Sequence, residues 1–403
     1  MSLGLPLIFK VCLFFILLTL VSSNSSFFSQ QKDSLTESTS QIAIAVHGGA
    51  GSYSRAKMTA EDELKIKIGI FKALKAGYQK LQENKGQSHM EATKAAIIEF
   101  ENNPLFNAGK GGKITQNFQV ELDASIMDGS TLKAGAVAGV RTIKNPIKAA
   151  ELVMKTTPHI MLISNEADRF AEAHQLEKVE NSYFMTRERI EEWIEYHDQV
   201  KSVSFNTEEQ WMESNLLSLE KSKTAFDTDY LDYIKLLKKY TLEDKQKDIP
   251  INLKGTTGAI ALDKHGNLSA ATSTGGTTYK LDGRVGDSPL IGAGTYANNE
   301  SVAVSCTGTG EEMMKRSTAF DVHARMLYKN ISLKESTEEI MRGFVSDQGG
   351  FISLDKKGNI EMPYNSKGMA RGYVREDGKA YIAIFREGED LTSVWYDINN
   401  NYD

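Results

Sequence analysis

A threonine that follows a glycine, at Gly255-Thr256, is the residue of this sequence best suited to nucleophilic chemistry. A threonine inside a chain needs a base to take its hydroxyl proton. If the peptide bond before Thr256 is cut, the freed α-amine, with a pKa near ~7.7 to 8.0, can serve as that base. Glycine at 255 suits such a cut, because a residue without Cβ tolerates a strained backbone. The alternative is an ordinary strand that starts after a glycine turn.

Polar groups suited to an amino-acid substrate follow Thr256 along the chain. Arg284 can grip a carboxylate with two hydrogen bonds, and the carboxylate of Asp287 can hold an ammonium. Hydroxyls and glycine-exposed amides in the run CTGTG, residues 306–310, can stabilise an oxyanion. The pattern therefore favours a site for an amino-acid substrate. The alternative is that Arg284 and Asp287 form only a surface salt bridge in a loop.

Other common sites are absent from the sequence. It contains no GxSxG elbow, so the run His47-Gly48-Gly49, which is similar to a lipase oxyanion loop, has no serine nucleophile to serve. It contains no HExxH and no CxxC, so a catalytic zinc ion has no ligands. With 47 basic and 53 acidic residues and a net charge of -6, the chain lacks the basic surface that nucleic acid requires.

The elements that must position these residues alternate between strands and helices. An apolar stretch over residues 42–47 predicts a buried strand that ends in a glycine turn. Apolar residues at helical spacing predict a helix over Glu61–Glu83, and Ser88 as a cap predicts another over Ser88–Glu101. Further strands and helix starts are predicted at Val120–Met127, Lys133–Val140, Pro146 and His159–Ile163.

The composition of the chain changes twice after about Lys178. From about Lys178 to Lys254 it is polar and highly charged, which is typical of helices followed by an exposed linker. Beyond Gly255, short β-type runs punctuated by glycine predict packed sheets. Helices are then predicted over about Glu311–Lys329 and Leu333–Val345, followed by short strands over residues 350–385. An apolar content of 40% is enough for a sizeable core.

The N-terminal residues have the layout of a signal peptide. Residues 1–23 contain one cation, Lys10, then an apolar run and small residues that suit cleavage after Ser23. Residues 24–40 are expected to form a flexible leader, and the protein is expected to be periplasmic or secreted. An uncleaved anchor is the alternative. Cleavage would leave Cys306 as the single cysteine, so the mature chain could form no internal disulfide.

Several blocks of the sequence resemble the plant-type L-asparaginase and isoaspartyl peptidase family of N-terminal nucleophile (Ntn) hydrolases. They follow the family's order from His47 to about Phe385 and include IAVHGGAG, NPLFNAGKGG, ELDASIMDG, GTTGAIALD, GRVGDSPLIGAGTYANN and VSCTGTGE. The resemblance implies an α+β fold, a four-layer αββα sandwich of two stacked, mainly antiparallel sheets between helices. It also implies an α subunit over residues 41–255, whose residues 178–255 form a charged helical and linker region before the cut, and a β subunit over residues 256–403. The segment from Lys178 to Lys254 resembles the family least.

The catalytic roles of the family carry over to matching residues. Thr256 matches the self-released nucleophile, so the resemblance implies autocatalytic cleavage between Gly255 and Thr256. Thr274 matches the threonine that hydrogen-bonds the nucleophile. The hydroxyl of Thr307 and the backbone amide of Gly308 match the oxyanion hole.

Substrate contacts carry over in the same way. Arg284 matches the residue that grips the substrate α-carboxylate, and Asp287 matches the residue that holds the α-ammonium, with the Gly310 carbonyl expected nearby. Asn107 matches a supporting residue beside the nucleophile. Thr257 takes a place often filled by valine, and its hydroxyl would need a partner if it is buried.

The resemblance implies no catalytic cofactor but a structural sodium ion. In the family, main-chain carbonyls of one loop bind the ion, and the matching residues here are Phe100, Glu101, Asn103, Phe106, Ala108 and Lys110. Backbone oxygens suit a hard cation. The ammonium of Lys110 would repel the ion unless it points away. A turn without any ion is the alternative.

The reaction implied by the resemblance is hydrolysis of a β-aspartyl amide by a threonine amidohydrolase. The substrates would be β-aspartyl dipeptides, L-asparagine or both, and the product L-aspartate. One alternative is a glycosylasparaginase, although that branch usually presents HDT at the cut where this chain has KGT. Another is an amino-acid-binding protein that never matures. The family further implies a dimer of processed αβ heterodimers, with no membrane attachment after signal removal.

Overall fold

A computed structural model of the chain describes residues 42–51, 53–83, 88–204 and 255–401. The predicted signal peptide and leader therefore lie outside the described residues. The same is true of residues 205–254, which make up most of the predicted linker. Within the described ranges, no helix is long and apolar enough to cross a membrane.

Two long helices follow the first strand. Helix α1 (Ala60–Gln82) starts at a capping box, in which the side chain of Thr59 accepts the backbone N–H of Asp62 at 3.1 Å. Helix α2 (Ser88–Asn102) packs against α1. The other helices of the described chain are α3 (Pro146–Thr156), α4 (Ser164–Ala173), α5 (Arg187–Ser204), α6 (Gly310–Arg316), α7 (Thr318–Tyr328) and α8 (Leu333–Arg342), with a 3₁₀ turn over Asn181–Phe184.

The strands form one large and one small sheet. In chain order they are β1 (Ala43–Gly51), β2 (Leu122–Asp128), β3 (Ala134–Val140), β4 (Met161–Ile163), β5 (Thr257–Leu262), β6 (Leu268–Thr274), β7 (Thr295–Ala297), β8 (Val302–Gly308), β9 (Gly349–Asp355), β10 (Ile360–Glu361), β11 (Gly368–Arg375), β12 (Lys379–Ala383) and β13 (Trp395–Asp397). The large sheet has nine strands in the order β13-β12-β11-β1-β5-β6-β2-β3-β4, and the small sheet has four in the order β10-β9-β8-β7. Apart from the parallel pair β3 and β4, neighbouring strands are antiparallel.

Alternating side chains place β1 between two cores. Ile44 and Val46 pack into the core that the large sheet shares with α1 and α2, where side chains such as Ile70 are fully buried. Ala43 and Ala45 point to the opposite face and pack between the sheets. This period of two is what an extended strand buried on both faces requires.

The small sheet repeats the pattern and completes the layers. On β8, Val302 and Val304 pack with Val322 of α7 and Ile340 of α8, whereas Ala303 faces the large sheet. The described chain is therefore built as helices, large sheet, small sheet and helices. This confirms the predicted α+β class and its four-layer αββα sandwich.

Segments from before and after Gly255 alternate within the large sheet. Strand β1 lies between β11 and β5, which both come from the C-terminal part of the chain. Strand β6, also C-terminal, pairs with β2 from the N-terminal part. The two parts therefore share three strand boundaries within one sheet.

Most predicted elements appear within a few residues of their expected ends, with two corrections. The single helix predicted over Glu311–Lys329 is two helices, α6 and α7, because Ser317 adopts φ 48 and breaks the helical path between them. Ser88, predicted as a cap, is instead the first residue of α2, and its hydroxyl finds no hydrogen-bond partner among the described residues.

Candidate active site

Thr256 lies directly before β5, in the middle of the large sheet, and is buried. The preceding Gly255 has φ 127, a conformation that residues with a Cβ rarely adopt. A Cβ added there would lie 2.7 Å from Gly49 Cα and 2.8 Å from the backbone nitrogen of Ala50. The peptide before Thr256 is therefore pressed against the end of β1, in a space that admits only glycine.

Two hydroxyl groups lie next to the hydroxyl of Thr256, the predicted nucleophile. Thr256 Oγ1 lies 3.3 Å from Thr274 Oγ1 and 3.4 Å from Ser288 Oγ. Thr274 ends β6, which pairs with β5, so the sheet itself brings Thr274 to Thr256. These contacts are long for O–H···O hydrogen bonds, and they leave the Thr256 hydroxyl loosely held rather than fixed to one partner.

The hydroxyl of Thr307 is oriented by two backbone donors. Its oxygen accepts the N–H of Ala50 at 2.9 Å and the N–H of Thr256 at 3.2 Å. Because both lone pairs are used in this way, the remaining capacity of the group is its own proton, which it can donate to an oxyanion.

Gly308 follows Thr307 at the end of β8. Its φ is 135, and an added Cβ would lie 2.2 Å from the carbonyl oxygen of Gln348. Glycine is therefore required at the second position predicted for the oxyanion hole.

Arg284 and Asp287 do not form the surface salt bridge that was the alternative to a binding site. The guanidinium of Arg284 instead donates from Nε at 3.0 Å and from Nη2 at 2.8 Å to a single oxygen of Glu311. Neither bond uses Nη1, which can take a second carboxylate. The guanidinium of Arg284 is therefore held by Glu311 through Nε and Nη2, and its Nη1 is left for a ligand in the cavity.

Asp287 is buried and one of its carboxylate oxygens, Oδ2, has no hydrogen-bond partner among the described residues. Cβ atoms added at Gly294 and Gly310 would lie 2.8 Å from Oδ2 and 2.9 Å from Oδ1, so only glycines fit around this carboxylate. Burial raises the pKa of Asp287 to about 7, although Arg284 opposes the change. An incoming ammonium would supply the missing partner.

Except for the buried Thr307, these groups line one cavity of about 330 Å³, which is within the range of small-molecule sites. It is lined by residues 50–51, 255–256, 276–278, 286–288, 308–311 and 347–349, together with Lys113, Tyr196, Thr274 and Arg284. The structure thus brings together the predicted nucleophile, both oxyanion donors and both substrate-binding residues. Their functional roles stay predictions.

Asn107 lies behind the cavity and joins two of its loops. Its side-chain Nδ2 donates to the Gly276 carbonyl at 2.7 Å, and its Oδ1 accepts the N–H of Lys113 at 3.1 Å. Both contacts suit the supporting role that was predicted. Thr257, the departure noted beside the nucleophile, is fully buried, and its hydroxyl donates to the Ser273 carbonyl at 3.0 Å.

The predicted sodium loop closes on itself through its own backbone. Phe100 O accepts the N–H of Asn103 at 3.1 Å, Asn103 O accepts that of Phe106 at 3.2 Å, and Glu101 O accepts that of Lys110 at 2.7 Å. Each carbonyl keeps a second lone pair, so these bonds are compatible with a main-chain cation site. The described residues contain no group of three or more His, Cys, Asp or Glu side chains able to hold a metal.

Lys110, the departure within that loop, has an aromatic partner. Its Nζ lies 5.3 Å from the centroid of the Tyr183 ring, within the range of cation–π contact. This contact holds the ammonium over Tyr183, on the 3₁₀ turn.

Sequence reasoning missed three residues that the fold brings to the site. Ser288 approaches the nucleophile, Glu311 holds Arg284, and His47 donates from Nδ1 to the Thr256 carbonyl at 2.9 Å. The likeness of the His47-Gly48-Gly49 run to a lipase oxyanion loop gives no role to the histidine. The available signal is the place of His47 at the end of the apolar stretch over residues 42–47, where a polar residue follows a predicted buried strand.

Comparisons with known proteins identify the family of the chain. A family model described as asparaginase matches residues 40–384. The chain is 41% identical over 356 residues to the isoaspartyl peptidase of Escherichia coli (strain K12), covering 88% of this chain and 99% of that protein. It is 36% identical over 354 residues to the probable isoaspartyl peptidase/L-asparaginase 2 of Arabidopsis thaliana, covering 85% and 98%. It is 35% identical over 338 residues to the plant-type L-asparaginase of Pyrococcus abyssi (strain GE5 / Orsay), covering 83% and 97%.

Proposed function

Because the chain belongs to the asparaginase family, we propose that it is an autoprocessing threonine amidohydrolase that releases L-aspartate from β-aspartyl dipeptides, L-asparagine or both. One observation carries the proposal. Thr256 and the buried carboxylate of Asp287 line the same cavity, and the hydroxyl of Thr307 accepts the backbone N–H of Thr256 at 3.2 Å. A nucleophile, an oxyanion donor and a partner for an amino-acid ammonium are the parts that such a hydrolysis needs.

Maturation would begin with attack of Thr256 Oγ1 on the carbonyl carbon of Gly255. An ester forms between that carbon and the threonine oxygen while the bond from the carbon to the Thr256 nitrogen breaks, and the nitrogen takes the hydroxyl proton. Water then hydrolyses the ester, which leaves a carboxylate on Gly255 and a free amine on Thr256. The positive φ of Gly255 and its lack of a Cβ support this close approach.

In the mature enzyme, the freed amine of Thr256 would take the proton from its own hydroxyl. Oγ1 then attacks the side-chain carbonyl of the substrate, and the oxyanion accepts hydrogen bonds from the Thr307 hydroxyl and the Gly308 amide. The amine or ammonia leaves with the proton, and water releases aspartate from the ester. Loss of one oxyanion donor should lower kcat by roughly 10²- to 10³-fold.

Arg284 and Asp287 would select the substrate. The guanidinium holds the α-carboxylate, and the carboxylate of Asp287 holds the α-ammonium, with the Gly310 carbonyl nearby. Since both α-groups must be free, the site should refuse ordinary internal peptide bonds.

The names of the relatives favour this activity over the glycosylasparaginase alternative, since all three reported above are called isoaspartyl peptidase or L-asparaginase. Turnover of β-aspartyl-leucine, L-asparagine and an N-acetylglucosaminyl-asparagine by the purified protein ranks the two activities directly. Preference for the sugar-linked substrate would reverse this assignment.

The N-terminal sequence of every chain in the purified protein tests the proposal. We expect two chains on a denaturing gel, the smaller beginning at Thr256. Thr256→Ala should leave one chain without activity, and Thr256→Ser, which keeps a hydroxyl, should still be cut. Turnover by protein whose 255–256 peptide bond is intact would overturn the proposal, and a single persistent chain would support the amino-acid-binding alternative.

Export, assembly and ion binding are further parts of the proposal. The signal-like layout of residues 1–23 supports export to the periplasm or medium, and a larger chain beginning at Asn24 would be the sign of cleavage. The mass in solution tests the proposed dimer of αβ heterodimers.

The carbonyls of the loop from Phe100 to Lys110 would hold sodium as a structural ion. Replacing sodium by tetramethylammonium, which is too large for such a loop, should lower the melting temperature. An unchanged melting temperature would contradict a bound structural ion.

A further inference from the structure

A hydrogen-bond network of buried polar side chains lies behind Thr256 and takes no part in the proposed reaction. The network runs from His47 on β1 to Ser305 on β8, Thr272 on β6 and Thr295 on β7. All four side chains have no exposed surface. They come from both sheets, so the network crosses the layer between the sheets.

Neighbouring groups of this network lie within hydrogen-bonding distance of one another. His47 Nδ1 lies 2.9 Å from the carbonyl oxygen of Thr256, and His47 Nε2 lies 2.9 Å from Ser305 Oγ. Ser305 Oγ lies 2.7 Å from Thr272 Oγ1, which in turn lies 2.5 Å from Thr295 Oγ1.

The carbonyl at one end determines the direction of these bonds. A carbonyl can only accept, so the proton of His47 must be on Nδ1. Burial lowers the pKa of His47 to about 3, so the ring is neutral near pH 7 and its Nε2 must accept the proton of Ser305. Ser305 then accepts from Thr272, and Thr272 accepts from Thr295.

A glycine on β5 makes room for the central link. A Cβ added at Gly258 would lie 2.0 Å from Ser305 Oγ and 2.2 Å from His47 Nε2. Any other residue at 258 would therefore force the histidine and the serine apart.

We propose that His47 is a positioning residue that holds the carbonyl of Thr256, and that Ser305 and Thr272 act through His47 by selecting its tautomer. The proposal rests on the proposed function for its kinetic consequence. Before cleavage, Thr256 is anchored by the peptide bonds on both sides. After cleavage, only its carbonyl side remains bonded to the chain, so the contact with His47 orients the residue that carries both the nucleophile and its base.

The opposite tautomer would reverse this effect. With the proton on Nε2, the lone pairs of Nδ1 and of the Thr256 oxygen would face each other across 2.9 Å and repel. Ser305 disfavours that tautomer because its oxygen accepts the proton of Thr272, which leaves its own proton for Nε2. The hydroxyl groups of the network thus keep the proton on His47 Nδ1, where it is donated to the carbonyl of Thr256.

Two amide replacements of His47 separate its two nitrogen positions. The amide of asparagine reaches the place of Nδ1, whereas the amide of glutamine reaches toward that of Nε2. We expect His47→Asn to keep kcat within about 5-fold and His47→Gln to lower it by about 10²-fold, as for a misplaced reacting group. KM should change little in both variants, because Arg284 and Asp287 are untouched. Equal losses in the two variants, or a loss confined to KM, would overturn the proposal.

A double-mutant cycle tests whether Ser305 acts through His47. Ser305→Ala should lower kcat by about 10-fold in the wild-type background and have almost no effect in the His47→Asn background, which has no Nε2. A merely structural serine would cost the same in both backgrounds, and that result would contradict the proposal.

Imidazole ¹⁵N chemical shifts test the tautomer without any turnover. In uncut Thr256→Ala protein, the carbonyl at 256 is retained, so His47 should show protonated Nδ1 and bare Nε2. Adding Ser305→Ala should mix the two tautomers. Protonated Nε2 in the Thr256→Ala protein would overturn the proposal even if hydrolysis were confirmed. The expected tautomer together with an inactive wild-type enzyme would count against the proposed function alone.

Discussion

At the scale of single residues, the site depends on a carboxylate that the fold leaves without a partner. Asp287 is buried, its Oδ2 has no partner among the described residues, and its pKa is about 7. A group in this state costs folding free energy in the free enzyme. It is suited to bind a cation, because the arriving ammonium supplies the interaction that the protein lacks.

Asp287 should therefore give ligand binding a specific pH dependence. Only the ionised carboxylate can hold an ammonium, so the affinity for L-aspartate as a competitive inhibitor should fall by about 10-fold per pH unit below about 7. The inhibition constant, measured between pH 5 and 8, checks this, since inhibitor binding involves no attack by Thr256. In Asp287→Asn protein the binding should be weak at every pH. An inhibition constant that does not vary over this range in the unmodified enzyme would contradict the role given to Asp287.

At the scale of elements, helix α1 is attached to the C-terminal segment through the buried carboxylate of Glu63. Glu63 accepts the N–H groups of Leu391 at 3.0 Å and Thr392 at 2.9 Å, and it pairs with the buried Lys67 at 3.0 Å. Burial by itself would raise the pKa of Glu63, but these hydrogen bonds and that of Lys67 outweigh it and lower the pKa to about 2. The carboxylate is therefore charged throughout the physiological range.

Two glutamates of α1 provide a matched comparison. Glu63→Gln would leave Lys67 charged and buried with Asp390, at 3.4 Å, as its remaining acidic neighbour, so it should destabilise the fold by about 3 to 5 kcal/mol. Glu61→Gln removes an ion pair of the same i,i+4 spacing, with Lys65, but on the exposed face, and should have little effect. Denaturant unfolding curves of the two variants check this. Equal destabilisation would show that burial is not the cause.

A second buried charge cluster connects α2 to two turns of the large sheet. His89 Nδ1 lies 2.9 Å from Asp263, and Nε2 lies 3.2 Å from Asp128. Burial by itself lowers the pKa of His89, but the hydrogen bonds to Asp128 and Asp263 outweigh it and raise the pKa. Because Asp263 follows the predicted cleavage point and the other two residues precede it, the cluster would bridge the two predicted subunits.

The raised pKa of His89 implies a sign for the pH dependence of stability. Its stabilising contribution is complete below the unfolded value of about 6.5 and is lost as the pH rises through the folded value. Between pH 6 and 9, the free energy of unfolding should therefore decline more in the unmodified protein than in a His89→Gln variant. Denaturant midpoints of both proteins measure this difference, and parallel declines would contradict it.

At the scale of the whole molecule, cleavage should not separate the two subunits. The order β11-β1-β5 and the pairing of β6 with β2 place strands of each part between strands of the other. Separation would expose three strand boundaries and both large cores. We expect the two chains to elute together in native size-exclusion chromatography and to part only in denaturant. Free chains in native buffer would contradict the interleaved sheet.

The sequence by itself determined the fold class and pointed to Thr256 as the predicted nucleophile. The continuous apolar runs of β1 and β5 are sufficient to predict buried strands, because a strand whose side chains alternate between two buried faces needs apolar residues at successive positions. Gly255 and Thr256 are adjacent in the chain, so their combined chemistry is visible without a structure. The boundary at Ser317 was missed because a single residue with positive φ leaves no signal in the apolar spacing around it.

Only the tertiary structure decided which distant side chains meet. Ser305 reaches His47 through the stacking of two sheets, and Arg284 pairs with Glu311 rather than with the nearby Asp287. Such pairs depend on strand register, on layer packing and on the space that Gly258 leaves open. These are properties of segments that lie far apart in the sequence, and local residue patterns carry no information about them.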